Sequence, residues 1–492
     1  MKFKFLTLGI IATVAAFTFS SCTKTITKEV VITKFDTFIA QPPAIYTELT
    51  GSLATQSLDA TKKYLIVGQV FIESGSVLTI PAGTKLFGQK SSKGTLVVKP
   101  GGKIIADGTA TSPIIFTSNQ DKGAREQGDW GGIVMLGKAN INQNSPAIEG
   151  ITPAVTYGTF QSTANDNDNS GVLKYVRIEY AGIAITPNNE TNGLTMGAVG
   201  NGTTIDYVQI SYGGDDSYEW FGGTVNCAHL IAFGGWDDDF DTDFGFSGKV
   251  QYAIGMRDPF NADQSGSNGF ESDNDASGST ATPKTSAVFS NVTLLGPVYD
   301  SAKASFSGNY LHALHLRRNT ELSLFNSVIV GYPIGLNLDG TLANYTSGAA
   351  VLDNNILVCP GVKGKSQRSF FNGSAADANV STYWKTTKSN TVFTLNNPQA
   401  TAGTLVYSKT FADAGIEPTL IMGFNTVAGV SGGTYPANPN LALFSGSTQS
   451  GAKFTDAKLS TWFNNTTSFK GAFGSNDWSD VWSNFNTQNL TY

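Results

Sequence analysis

The stretch VQISYGG (Val208–Gly214), followed by LIAFGG (Leu230–Gly235), decides how this chain folds. Ile210, Tyr212, Gly213 and Gly214 recur as Ile231, Phe233, Gly234 and Gly235, all at one constant interval, and Tyr252, Ile254 and Gly255 follow after the same interval again. Apolar residues alternate at period two, which places every second side chain on one face of a strand. The glycine that ends each run permits a backbone turn that a Cβ would obstruct. A strand, a turn and a fixed recurrence describe one coil of a solenoid, whose neighbours stack to bury a continuous core. A propeller blade needs about 40–45 residues, so the short step argues against that rival. The predicted fold is all-β, a right-handed parallel β-helix with long loops and a C-terminal cap.

Working outward, VRIEYAG (176–182) has the same shape upstream, and NVTLLG (291–296), NSVIVG (326–331) and NNILVCPG (354–361) have it downstream. Strand–turn–strand patterns at 64–88 and 94–109 suit the first coils. The solenoid is therefore expected over 46–380. Residues 381–492 should hold the final coils and an aromatic cap (GAFGSNDWSDVWSNFN, 471–486) over the open end. Glycine is abundant, at 54 residues, and only 14% of the chain is charged. That composition suits many tight turns and contradicts a helical architecture.

The first residues read as a signal peptide, with Lys2 and Lys4 before the apolar run LTLGIIATVAAFTF and small residues before Cys22. Phe19-Ser20-Ser21-Cys22 resembles a bacterial lipobox, so 1–22 is expected to end in a lipidated Cys22 that anchors the chain to a lipid bilayer. Residues 23–45 read as a tether. Of the other cysteines, Cys227 and Cys359 lie in apolar runs and match no metal spacing; two buried thiols are the default reading, and a single bridge the alternative.

Without Lys2 and Lys4, 30 basic residues face 38 acidic ones, a formal charge of −8. From Asp215 to Asp275 there are 13 acids and two bases, Lys249 and Arg257. Nucleic acid is excluded as a partner by sign, and cations are favoured. In GGWDDDFDTDFG (234–245), an extended chain would put Asp237, Asp239, Asp241 and Asp243 on one face and Trp236, Phe240 and Phe244 on the other. Like charges on one strand face repel, and calcium, which takes six to eight oxygens, relieves that repulsion. Asp215 and Asp216 belong to the preceding coil, and the interval from Ile210 to Ile231 stacks Asp216 under Asp237. The candidate metal ligands are thus Asp215, Asp216, Asp237, Asp239, Asp241 and Asp243. Trp220, Trp236 and Arg257 are candidates for ligand contact. By parity, His312 and His315 face opposite ways.

The order of WGGIVMLGKA (130–139), EWFGGTVN (219–226), WDDDFDTDFGF (236–246), LRRNTELSLFNSVIVG (316–331) and the terminal KGAFGSNDWSDVWSNF resembles a family of outer-membrane or secreted lipoproteins common in Bacteroidetes, with a pectate-lyase-like parallel β-helix. The resemblance covers most of the chain after about residue 50. It implies fold and export, names no reaction, and suggests a TonB-dependent transporter or another surface protein as partner. The expected function is non-catalytic binding of calcium plus a glycan or protein ligand at the acidic coils. One alternative is a calcium-dependent polysaccharide lyase or hydrolase, with Arg257 as the lyase base. The other is a purely structural surface protein.

Overall fold

The computed structural model describes residues 45–186, 189–297, 306–358, 371–373, 377–392, 436–444 and 449–492. Cys22, the tether up to residue 44 and Cys359 lie outside the described residues. Cys227 is a buried, free thiol.

The described residues form a parallel β-helix. Strands Gly171–Glu179, Thr204–Ser211, Cys227–Phe233, Lys249–Met256 and Val288–Leu295 stack in parallel, each on the next. Every one of them is bent, so its two halves belong to two faces of the solenoid. A third face is built by Leu194–Val199, Tyr218–Gly223, Phe240–Asp243, Phe270–Ser272, His312–Arg317 and Ile334–Asp339. Alternate residues of all three faces point inward into one core that runs from Leu49 to Trp384.

The step between coils is longer than the interval from Ile210 to Ile231 that the sequence suggests. Val208 pairs with Leu230, longer by one position, and Leu230 pairs with Ala253, longer by two. The reason lies in the bend. Each bent strand turns at one left-handed residue: Tyr175 (φ 49°), Tyr207 (54°), His229 (52°), Tyr252 (62°) and Asn291 (58°), continued by Asn326 (51°) and Asn354 (60°). A later corner is likewise left-handed at Tyr212 (54°) and Gly234 (62°). Matching residue types aligned Tyr212 with Phe233, whereas the backbone aligns tyrosine with glycine.

A non-glycine residue in this conformation costs about 1–2 kcal/mol. Stacking between corners offsets the cost. Ring centroids lie 4.5 Å apart for Tyr175 and Tyr207, 4.1 Å for Tyr207 and His229, and 5.1 Å for His229 and Tyr252. Each such pair contributes about 0.5–1.5 kcal/mol beyond its buried area. Where the corner becomes asparagine, Asn354 Nδ2 donates to Asn326 Oδ1 at 2.7 Å.

The terminal aromatic segment was expected to close the open end of the solenoid. In the structure, 449–492 lies along the flank, outside the second face. That face exposes apolar residues outward as well as inward: Ile231, Phe233, Ile254 and Met256 form a second cluster with Ala472, Phe473, Trp482 and Phe485. Burying them requires a cover along the side. The segment runs back across the coils, from Lys453 N bonded to Asn326 Oδ1 (2.8 Å), through Asn484 N bonded to Gln209 Oε1 (2.8 Å), to Gln488 Nε2 bonded to Arg125 O (2.6 Å). Trp482 meets Tyr175 and Tyr207 edge-on, and Trp478 meets His229 in the same way.

Candidate metal centre on the third face

The third face carries the acid-rich coils, and its register explains how the acids meet. Tyr218, Phe240 and Phe270 point inward and stack, with centroids 5.6 and 5.2 Å apart. By alternation, Glu219, Asp241 and Glu271 point outward in one column, which runs Thr195, Glu219, Asp241, Glu271, His315, Asn337. Strand spacing places successive members about 4.8 Å apart. Three stacked carboxylates at that spacing repel strongly.

A second column runs beside the first. Asp238 N donates to Asp216 Oδ1 at 2.8 Å, Asn268 N to Asp238 Oδ1 at 2.5 Å, and His312 N to Asn268 Oδ1 at 3.1 Å. Each side chain thus receives the backbone N–H of the next coil, which fixes the carboxylates of Asp216 and Asp238. A basic edge closes the patch. Arg317 pairs with Glu271 and, at 2.9 Å, with Asp273; Arg318 reaches Asp273 at 3.0 Å; His315 Nδ1 lies 3.3 Å from Glu271.

These acids form three groups that could hold a metal ion: Asp215, Asp216 and Asp237; Asp216, Glu219 and Asp241; and Asp238, Asp241 and Glu271. Within each group, ligand oxygens lie within 4.8 Å of one another. Burial pushes the Asp216, Glu219 and Asp241 carboxyls well above their ordinary range, and their acidic neighbours push them further the same way. Asp237 Oδ1 and Asp241 Oδ1 are buried and accept no hydrogen bond. An ionised oxygen without a donor is costly to bury. A divalent cation removes both the repulsion and the orphaned lone pairs, and an all-oxygen donor set suits calcium.

The structure brings together Asp215, Asp216, Asp237 and Asp241; Asp243 lies farther along the strand, where its Oδ1 accepts from Phe244 N, and Asp239 is elsewhere. Only Phe240–Asp243 is strand. The chain bends before it, so Asp239 turns into the core, where its Oδ1 lies 2.8 Å from Arg257 Nη1 with both side chains fully buried. Tyr332 donates to its other oxygen at 3.1 Å. Asp239 is therefore an interior counter-ion, and the expected common face of four aspartates is corrected to Asp241 and Asp243. Asp216 stacks with Asp238, not Asp237, because the coil is longer by one position than the recurrence in the sequence.

Arg257 is corrected with it. Burial works to lower its pKa, but Asp239 outweighs this and holds the guanidinium charged. Its side chain is sealed from the surface. Trp220, also a candidate for ligand contact, is fully buried between Tyr218 and Phe246. Trp236 does reach the surface, at 37% exposure, and donates from Nε1 to Asp263 at 2.8 Å. His312 and His315 also come together, with ring centroids 4.5 Å apart; Ala313 and Leu314 are both buried in the core, so the strand does not alternate between them.

Sequence reasoning omitted Asp238 and Glu271 from the ligand set, and left Glu219 outside it. The step from Val208 to Leu230 would have found Asp238 over Asp216 and Asp241 over Glu219. The long loop after Lys249–Met256 hides Glu271 by separating it from its partner Asp241. That loop folds back over the site: Ser267 Oγ donates to Trp236 O at 2.8 Å and Ser265 Oγ to Asp237 Oδ2 at 3.3 Å.

A family model described as a pectate-lyase-like β-helix domain matches residues 51–408. No curated protein matches the chain. Among solved structures, the tailspike protein of Dettilon is similar at 9% identity, over 61% of this chain and 61% of that one, with a TM-score of 0.22. A likeness of that order carries no argument about function.

Proposed function

Because this chain belongs to the pectate-lyase-like β-helix family, we propose that it is a glycan-binding surface protein whose acidic third face binds calcium and catalyses no reaction. One observation carries the reading. Asp241 Oδ1 is buried without a donor in the middle of a column of three carboxylates. Calcium bound by Asp216, Glu219 and Asp241 supplies the missing partner and leaves coordination positions for sugar hydroxyls or a carboxylate. Trp236, exposed on the neighbouring turn, offers a ring face on which a sugar stacks.

Binding is favoured over cleavage because the two bases of the acid-rich stretch are committed elsewhere. Arg257 is buried in its pair with Asp239, and Lys249 Nζ is hydrogen-bonded to Thr461 of the flanking segment. The proposal includes lipidation of Cys22, attachment to the outer membrane, and work beside a TonB-dependent transporter; the signal-like N-terminus supports the first two.

The test is affinity electrophoresis of the soluble chain in gels cast with uronate-containing or neutral polysaccharides, with calcium or chelator. Calcium-dependent retardation, lost in Asp241→Asn, is expected, with no unsaturated product absorbing in the ultraviolet. Product would make the chain a lyase. Absence of retardation in every polymer would end the glycan reading.

A further inference from the structure

The three acidic groups are not equally in need of an ion. In the group of Asp238, Asp241 and Glu271, Asp238 already accepts from Asn268 N and Nδ2, and Glu271 is paired with Arg317 and lies beside His315. Glu271 thus already has a cationic partner from the protein. The other two groups differ. Their members meet only neutral donors, such as Asp238 N on Asp216 and Asn192 Nδ2 on Glu219, and each contains one buried carboxylate oxygen without a donor: Asp237 Oδ1 in the first and Asp241 Oδ1, which the third group shares, in the second. No group unites Asp237 with Asp241 among the described residues, so one ion does not serve both oxygens. The two groups share a single residue, Asp216.

We propose that the third face holds two cations: one in the strand column between Asp216, Glu219 and Asp241, the other in the adjoining turn between Asp215, Asp216 and Asp237, with Asp216 as the bridging carboxylate. This rests on the calcium reading above and extends it to a second site. Charge supports the number. When ionised, Asp215, Asp216, Glu219, Asp237 and Asp241 carry five negative charges, whereas Arg257 is neutralised by Asp239 and Arg317 is paired with Glu271 and Asp273. One divalent ion leaves three charges uncompensated, and two leave one.

The geometry also gives the turn ion a role. Asp237 Oδ2 is held by Ser265 of the covering loop, and Trp236 O by Ser267 of the same loop. An ion on Asp237 Oδ1 therefore fixes both the loop and the exposed Trp236 indole. The column ion has no such link to the loop.

Native mass spectrometry of chelated chain titrated with calcium chloride tests the proposal, with isothermal titration on the same samples. Two ions per chain are expected, falling to one in Asp237→Asn and to one in Asp241→Asn. In Asp237→Asn alone, chymotrypsin should cut after Phe260 of the covering loop as fast with calcium as without. Asp216→Asn should weaken both sites at least tenfold. These substitutions each remove repulsion and keep the side-chain volume, and circular dichroism confirms the fold. One ion in the unaltered chain, with Asp237→Asn still binding one, would overturn the second site and leave the column site standing. No ion at all would overturn the calcium reading itself.

Discussion

Two aspartates, next but one to each other on one run, have opposite environments. Asp239 is sealed inside against Arg257 and Tyr332, so close that a Cβ on Gly255 would lie 2.3 Å from its Oδ2. Asp241 faces outward among acids. Asp239→Ala strands a buried guanidinium, so it is expected to cost about 3–5 kcal/mol, read as a lower urea midpoint with or without calcium. Asp241→Asn in chelator is expected to leave that midpoint unchanged or raised, because it removes repulsion. Equal losses for the two would refute their assignment to different roles. The sequence showed that acids were concentrated here, since a run such as DDDFDTD (237–243) needs no structure to be noticed. It did not show which of them turns inward. That is decided by the bend before Phe240, and a bend of this kind leaves no mark in the alternation.

At the scale of elements, alternation and terminal glycines made the strands legible, because a period of two survives in any coil. The register was not legible. Its fixed point is the left-handed corner, occupied in turn by tyrosine, histidine and asparagine, which share no hydropathy and no size. What they share is a place in a stack. The flanking segment was visible only as aromatic composition. Its position follows from the outward apolar residues Ile231, Phe233, Ile254 and Met256, which a one-faced reading of each strand overlooks. Trp482→Ala removes two edge-on contacts with the tyrosine stack and opens a cavity in the second cluster. A loss of about 3–5 kcal/mol is expected, together with earlier proteolysis within 449–492 than within the coils. Cleavage in the coils first would show that the segment adds little.

For the whole molecule, the acidic face ties stability to pH. The carboxyls of Asp216, Glu219 and Asp241 are raised by burial from ordinary values of 3.8, 4.5 and 3.8. The folded chain therefore holds these protons more tightly than the unfolded chain does. The associated stability is fully present below about pH 4 and is lost as pH rises through the raised values. In chelator, Tm is expected to fall as pH rises above these ordinary values, and saturating calcium should flatten that slope. A Tm equally insensitive to pH in both buffers would show that the acids carry no strain for calcium to relieve.

The flanking segment has one more consequence, and it concerns time. A stack of coils bound only to neighbours assembles from local contacts, any of which can nucleate the rest. Here the bond from Asn484 to Gln209 spans 275 residues, and that from Gln488 to Arg125 spans 363. Contacts so distant along the chain form slowly. The coils must be stacked before their groove exists to receive the segment, which makes its docking the closing event of folding. Unfolding meets the same obstacle in reverse: no coil along that flank frays alone while the clasp is shut.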